Sequence, residues 1–261
     1  MFAYSGRSGA RTHESPSVPD DRAERGGGAG RERRETAIER AERIGDAYGL
    51  VLMLIVITFV VMMTLPPEGW GGRVVAVAVA GLTAIVALTS SDVRPARVRV
   101  ALLAVVASVL AAFVAKVIPS DRLLGVAFGV TAVLLGIAAI TILRRVIVGA
   151  SNVDFRTILG AVSVFTLFGL LFAFLYVFFS RWTSSEFFTG QPHAPTSDYL
   201  FFSYTTLTTT GYGNLVPAGT LGQSFAVLEM LVGQFFLVTL VAGLVSLWRP
   251  GRGLNPRNPD L

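Results

Sequence analysis

Apolar residues in this chain fall into six long runs, each closed by a helix-breaking or charged residue. Tyr48–Leu65 ends at Pro66-Pro67, Val74–Ser90 before Asp92, Val100–Ile118 at Pro119, and Leu123–Leu143 at Arg144-Arg145. A Phe-rich fifth run covers Thr157–Phe179, and a sixth covers Leu221–Trp248. At about 1.5 Å rise per residue, each suits a hydrocarbon core of about 30 Å. The sixth is long enough to tilt or to extend beyond the bilayer. Between the last two, Tyr199–Leu207 is too short to cross. It predicts a re-entrant helix, tolerated at membrane depth only where protein buries it or it lines a water-filled cavity. The pattern predicts an all-α integral membrane protein with six transmembrane helices plus one re-entrant helix.

Composition agrees: 52% of residues are hydrophobic, 15% are charged and the mean hydropathy is +0.62. Soluble domains carry nearer a quarter charged residues. The absence of cysteine excludes disulfides and thiolate chemistry. Arginine distribution predicts orientation. Nine Arg precede the first span, Arg94, Arg97 and Arg99 fill the second loop, Arg144, Arg145 and Arg156 the fourth, and Arg249, Arg252 and Arg257 follow the last span. The other side holds only Arg73, Lys116, Arg122 and Arg181. Both termini are therefore expected in the cytoplasm, with an even number of spans in the plasma membrane. The tail arginines alternate with Glu and Asp, which argues against nucleic acid as a partner.

Residues 1–30 are Gly, Ser, Pro and charge, a composition that predicts a disordered cytoplasmic tail. Over 31–47, Ala37, Ile38, Ala41 and Ile44 recur at helical spacing among charges. This fits either an amphipathic helix on the cytoplasmic surface or a solvated helical extension. The remaining divisions are a four-helix region at 48–150, a second membrane unit at 151–248 and a short tail at 249–261. That tail is expected to add no soluble ligand-binding domain.

The informative polar island is Thr208-Thr209-Thr210-Gly211-Tyr212-Gly213-Asn214, set between two apolar runs. A cation that sheds its water needs a ring of oxygens, and a backbone supplies one only if successive carbonyls turn the same way. Such a run requires positive φ, which glycine adopts freely. Gly211 and Gly213 alternate with Thr210 and Tyr212 in the manner required, and the Thr209 hydroxyl can add one further ring.

The pentapeptide TTGYG resembles the filter signature of the potassium channel superfamily. The resemblance covers about Asp154 to Trp248: outer helix, pore helix, filter and inner helix, after four extra helices. Phe201-Phe202-Ser203 takes the aromatic-aromatic-Ser place ahead of the filter, Pro217 closes it, and Gly233 sits at the inner-helix hinge position. Thr210 stands where Val is usual and Asn214 where Asp is usual, the latter at the filter mouth. The resemblance implies passive potassium conduction by a homotetramer in the lipid bilayer, with K+ as the permeant ion and no cofactor. The alternatives are a weakly selective cation channel, toward which Asn214 points, and a cation transporter subunit. Related transporters generally carry four pore-loop repeats, whereas one GYG is present here. An enzyme would need convergent Asp, His or Ser at one depth, and the spans offer none.

Glu229 is the only carboxylate deep in a predicted span, where charge is expensive unless partnered or neutral. Either it bonds hydroxyls such as Ser203 or Thr205 and supports the filter from behind, or it lines the cavity and attracts cations. Gln234, Leu237, Val238, Val241 and Val245 share a face spaced to line that cavity. No arginine ladder occupies the first four spans, which argues against gating by a charged helix. His193 and Glu186 fall in the loop before the pore helix, where a lone His is usually only solvated.

Overall fold

The computed structural model describes residues 48–64, 70–90, 94–118, 120–149, 155–183, 186–192 and 194–247. The expected tail at 1–30, the amphipathic segment at 31–47, His193, Trp248 and the tail at 249–261 lie outside the described residues. Helices α1 (Tyr48–Thr64), α2 (Trp70–Thr89), α3 (Pro95–Val117), α4 (Asp121–Gly149), α5 (Phe155–Trp182), α6 (Thr196–Leu207) and α7 (Thr220–Leu247) follow in order. No strand occurs among the described residues; Phe188 makes isolated β-bridges to Gln191 and Pro217.

Five helices, α2 to α5 and α7, are long and apolar enough to cross a membrane, so the protein is an all-α membrane protein. The described part of α1 is apolar but shorter. Expected boundaries shift where physical signals differ from hydropathy. Arg144 and Arg145 do not end α4, which continues through Val146 and Ile147 to Gly149; arginine is a good helix former, and no breaker intervenes. α6 begins at Thr196 rather than Tyr199, because Pro195 at its N-cap is extended (φ −66°, ψ 156°) and marks the entry.

α4 is the hub. Its most extensive contact is with α5, and α2 and α3 pack on it and on each other. Little hydrophobic force drives helices together in lipid, so close packing depends on small side chains. Ala76, Ala80, Ala84 and Ala87 form a buried stripe along α2, and Ala127, Ala132, Ala138 and Ala139 are buried on α4. The Gly125–Gly129 pair faces α5: a Cβ at Gly129 would meet the Phe178 ring at 2.9 Å, and one at Gly125 the Arg181 Cβ at 3.0 Å. Buried hydroxyls of Thr58, Thr131 and Ser163 donate to carbonyls four residues back and are satisfied within their own helices. α5 also contacts α6 and α7. α1 reaches the same region, with Phe59 edge-on to Tyr204 of α6 at 5.7 Å.

Candidate functional site

The segment after α6 turns sharply. Thr208 is still right-handed (φ −81°, ψ 0°), but Thr209 has φ +58°. Gly211 follows at +54° and Gly213 at +77°, while Thr210 and Tyr212 lie outside the positive-φ region. Left-handed backbone therefore recurs at every second residue from 209 to 213. Two of these positions are the glycines singled out from sequence. Thr209 was not foreseen, because a β-branched residue at positive φ is rare and strained. Its place two residues before Gly211 is the signal that could have found it.

Hydrogen bonds fix which way this backbone faces. The N–H groups of Thr210 and Gly211 both donate to Thr205 O (2.8 and 3.1 Å), that of Thr209 to Thr206 O (3.0 Å), and that of Thr208 to Tyr204 O (3.0 Å). In a planar trans peptide the C=O opposes the next N–H. With these N–H groups turned back on α6, the carbonyls of Leu207 to Thr210 point away from it. Thr205 supports the loop through its carbonyl, while its hydroxyl donates to Phe202 O. Thr208 to Asn214 are all exposed in the single chain. Tyr212 stacks on Phe201 of α6 (5.7 Å, 15°).

The chain beyond the loop is clamped by residues that precede α6 and by Gln223 of α7. Thr189 N–H donates to Val216 O (2.9 Å), Ala218 N–H to Phe187 O (2.8 Å), and Gln223 Nε2 to Pro217 O (3.1 Å). Phe187 and Phe188 insert among Tyr176, Tyr199 and Phe202, a cluster of rings with centroids 4.8–5.4 Å apart. This clamp was not legible beforehand, since Phe187-Phe188 has no periodic context. At the start of α6, partial burial pushes the Asp198 carboxyl above its ordinary range, opposed by a hydrogen bond with Ser197.

Glu229 is fully buried. Its Oε2 accepts from Tyr176 OH (2.7 Å), and its Oε1 lies 2.5 Å from Ser203 Oγ, which also sits 2.6 Å from Gly169 O. Of the two sequence readings, the geometry is that of contact with the α6 hydroxyl, through Ser203 and not Thr205. Ser203 has one proton, and Gly169 O can only accept. If that proton goes to Gly169, the Ser203–Glu229 bond needs a proton on the carboxyl group. Tyr176 was missed because nothing in the α5 pattern separates it from the surrounding aromatics.

Gly233 is buried against the end of α6, while Gln234, Val238 and Val241 are exposed and Leu237 is half-buried. The side chain of Val245 lies outside the described residues. Only 17% of the α7 span is buried, so among the described residues one long apolar face has no partner in a single copy.

Residues 164–249 match the model of a family described as ion channel. The chain is similar to two-pore potassium channel 3 of Arabidopsis thaliana, 31% identical over 80 residues, covering 29% of this chain and 18% of the relative. It is also similar to two pore potassium channel c of Oryza sativa subsp. japonica, 36% identical over 58 residues, or 22% of this chain and 13% of the relative. The chain thus spans less than a fifth of the length of these curated relatives. No solved structure matches. The matched segment runs from α5 through the alternating loop into α7, and over that segment the chain is similar to ion channels, potassium channels among them.

Proposed function

We propose that this protein conducts potassium passively and selectively across the plasma membrane, as a homotetramer whose filter is Thr209 to Gly213. The observation that carries the reading is the alternation of φ at 209, 211 and 213 in a loop whose first N–H groups, those of Thr208 to Gly211, are turned back on α6. Carbonyls so directed coordinate a dehydrated cation once several strands converge. One strand cannot surround an ion, and four can. The unpartnered apolar face of α7 supports assembly, with Gln234, Leu237, Val238, Val241 and Val245 lining the inner cavity. The C-terminus of α6 adds a partial negative charge near the loop, favourable to a cation.

On this reading 151–248 is the pore domain and 48–150 a peripheral four-helix region, with both termini cytoplasmic. Asn214 supplies the mouth, Thr205 and Glu229 support the filter, and Gly233 is the point where α7 flexes. Asn214 also favours a second reading, a weakly selective cation pore, because the mouth lacks the usual carboxylate. Purified protein in potassium-loaded liposomes tests the proposal. Dissipation of a potassium gradient without an equal sodium flux supports it; equal fluxes support the second reading, and no flux contradicts both.

A further inference from the structure

The structure assigns an anionic membrane lipid to a groove between α2, α3 and α4, which shares no lining residue with the loop after α6 and is independent of the conduction proposal. The groove has a volume of about 650 Å³ and is open on one side. Arg97 of α3 and Arg144 and Arg145 of α4 stand at one end, and its walls include Leu88, Val100 and Ile137. None of its lining residues is acidic. Arg145 donates to the Ser90 carbonyl, which fixes its guanidinium at the rim. Arg97 and Arg144 are exposed, and no carboxylate among the described residues pairs with either.

Length and polarity agree with such an occupant. Leu134, the deepest α4 wall residue, lies ten positions before Arg144, about 15 Å along the helix. A phosphate held between the Arg97 and Arg144 guanidiniums at the membrane edge therefore leaves one acyl chain running down an apolar wall. Positive charge at helix ends alone would only orient the protein. The groove that continues the charged rim into the hydrocarbon layer is what selects a lipid over a soluble anion. Basic pockets between transmembrane helices bind anionic headgroups by this chemistry.

Native mass spectrometry of the full chain in detergent, titrated with phosphatidylglycerol or phosphatidylcholine of identical acyl chains, tests the assignment. Phosphatidylglycerol should bind about tenfold or more tightly, given roughly tenfold per one or two basic contacts. The double variant Arg97→Gln/Arg144→Gln should lose that preference, and Arg97→Lys/Arg144→Lys should keep most of it and serve as the folding control. Equal binding of the two lipids, or an unchanged preference in the glutamine variant, overturns the assignment. Displacement of phosphatidylglycerol by inorganic phosphate at equal concentration would make this a free-anion site and also overturn it. So would loss of subunits in the glutamine variant without any lipid preference, which would mark the groove as a contact between copies.

Discussion

Gly233 of α7 lies against the carbonyl of Leu207, the last residue of α6: a Cβ at 233 would sit 2.2 Å from that oxygen. Real Cβ atoms do not approach so closely, so this position needs glycine for contact, whether or not the helix also flexes there. Gly233→Ala should destabilise the folded protein by about 1–3 kcal/mol per subunit, the usual range for overpacking. Thermal unfolding and single-channel recording together separate the two roles. A lowered unfolding temperature fits contact; unchanged stability with altered open probability would mean that the glycine serves only as a hinge.

Glu229 yields a prediction about protons. If the Ser203–Glu229 bond carries the carboxyl proton, glutamine can replace it, its amide donating to Ser203 and its oxygen accepting from Tyr176. Glu229→Gln should therefore keep most of the stability and current. Glu229→Leu leaves the buried Tyr176 hydroxyl without its partner, while Ser203 keeps Gly169 O, and should lose about 1–3 kcal/mol for the group left unsatisfied. A glutamine variant as damaged as the leucine one would show that an ionised carboxylate is required there.

Much of the architecture could be read from hydropathy alone, and the reasons for the exceptions are specific. The five long spans and α6 follow from apolar run length, and the glycines of the loop follow from the φ they alone adopt easily. The extension of α4 past Arg144-Arg145 was hidden because charge signals a membrane edge and not a helix end. The left-handed Thr209 was hidden because its conformation is imposed by neighbours against its own preference. The Tyr176–Glu229 bond and the Phe187-Phe188 clamp join residues far apart in sequence, and no local period reports such pairs.

Asn214 is exposed at the end of the alternating loop, and in the proposed tetramer a carboxylate there would add four negative charges at the mouth. Asn214→Asp should raise inward single-channel current at low ionic strength. The gain should fade at high salt, as the screening length falls from about 8 Å at physiological strength to about 3 Å at 1 M. An unchanged current at low salt would mean that the side chain does not face the mouth.

Substitutions along the loop should rank by their effect on backbone. Gly211→Ala and Gly213→Ala force a Cβ into positive φ, at about 1–2 kcal/mol per residue, and should damage conduction most. Thr209→Ala keeps the carbonyls and removes one hydroxyl ring, so its effect should be milder. Thr210→Val is near isosteric and should be mildest, losing only the 2.8 Å contact between the Thr210 and Thr208 hydroxyls. Normal current in both glycine variants, with selectivity lost in Thr210→Val, would contradict this ranking.

The most direct test of the central claim is the reversal potential of the purified protein in a planar bilayer with equal total cation on each side. One side holds mainly potassium and the other mainly sodium, with a tenfold potassium gradient. A carbonyl filter formed by Thr209 to Gly213 predicts reversal near the potassium equilibrium potential, about 59 mV from zero for a tenfold gradient of a monovalent ion. Gly213→Ala should remove that current. A reversal near zero in the unmodified protein, or the same potassium-selective current in Gly213→Ala, would contradict the account.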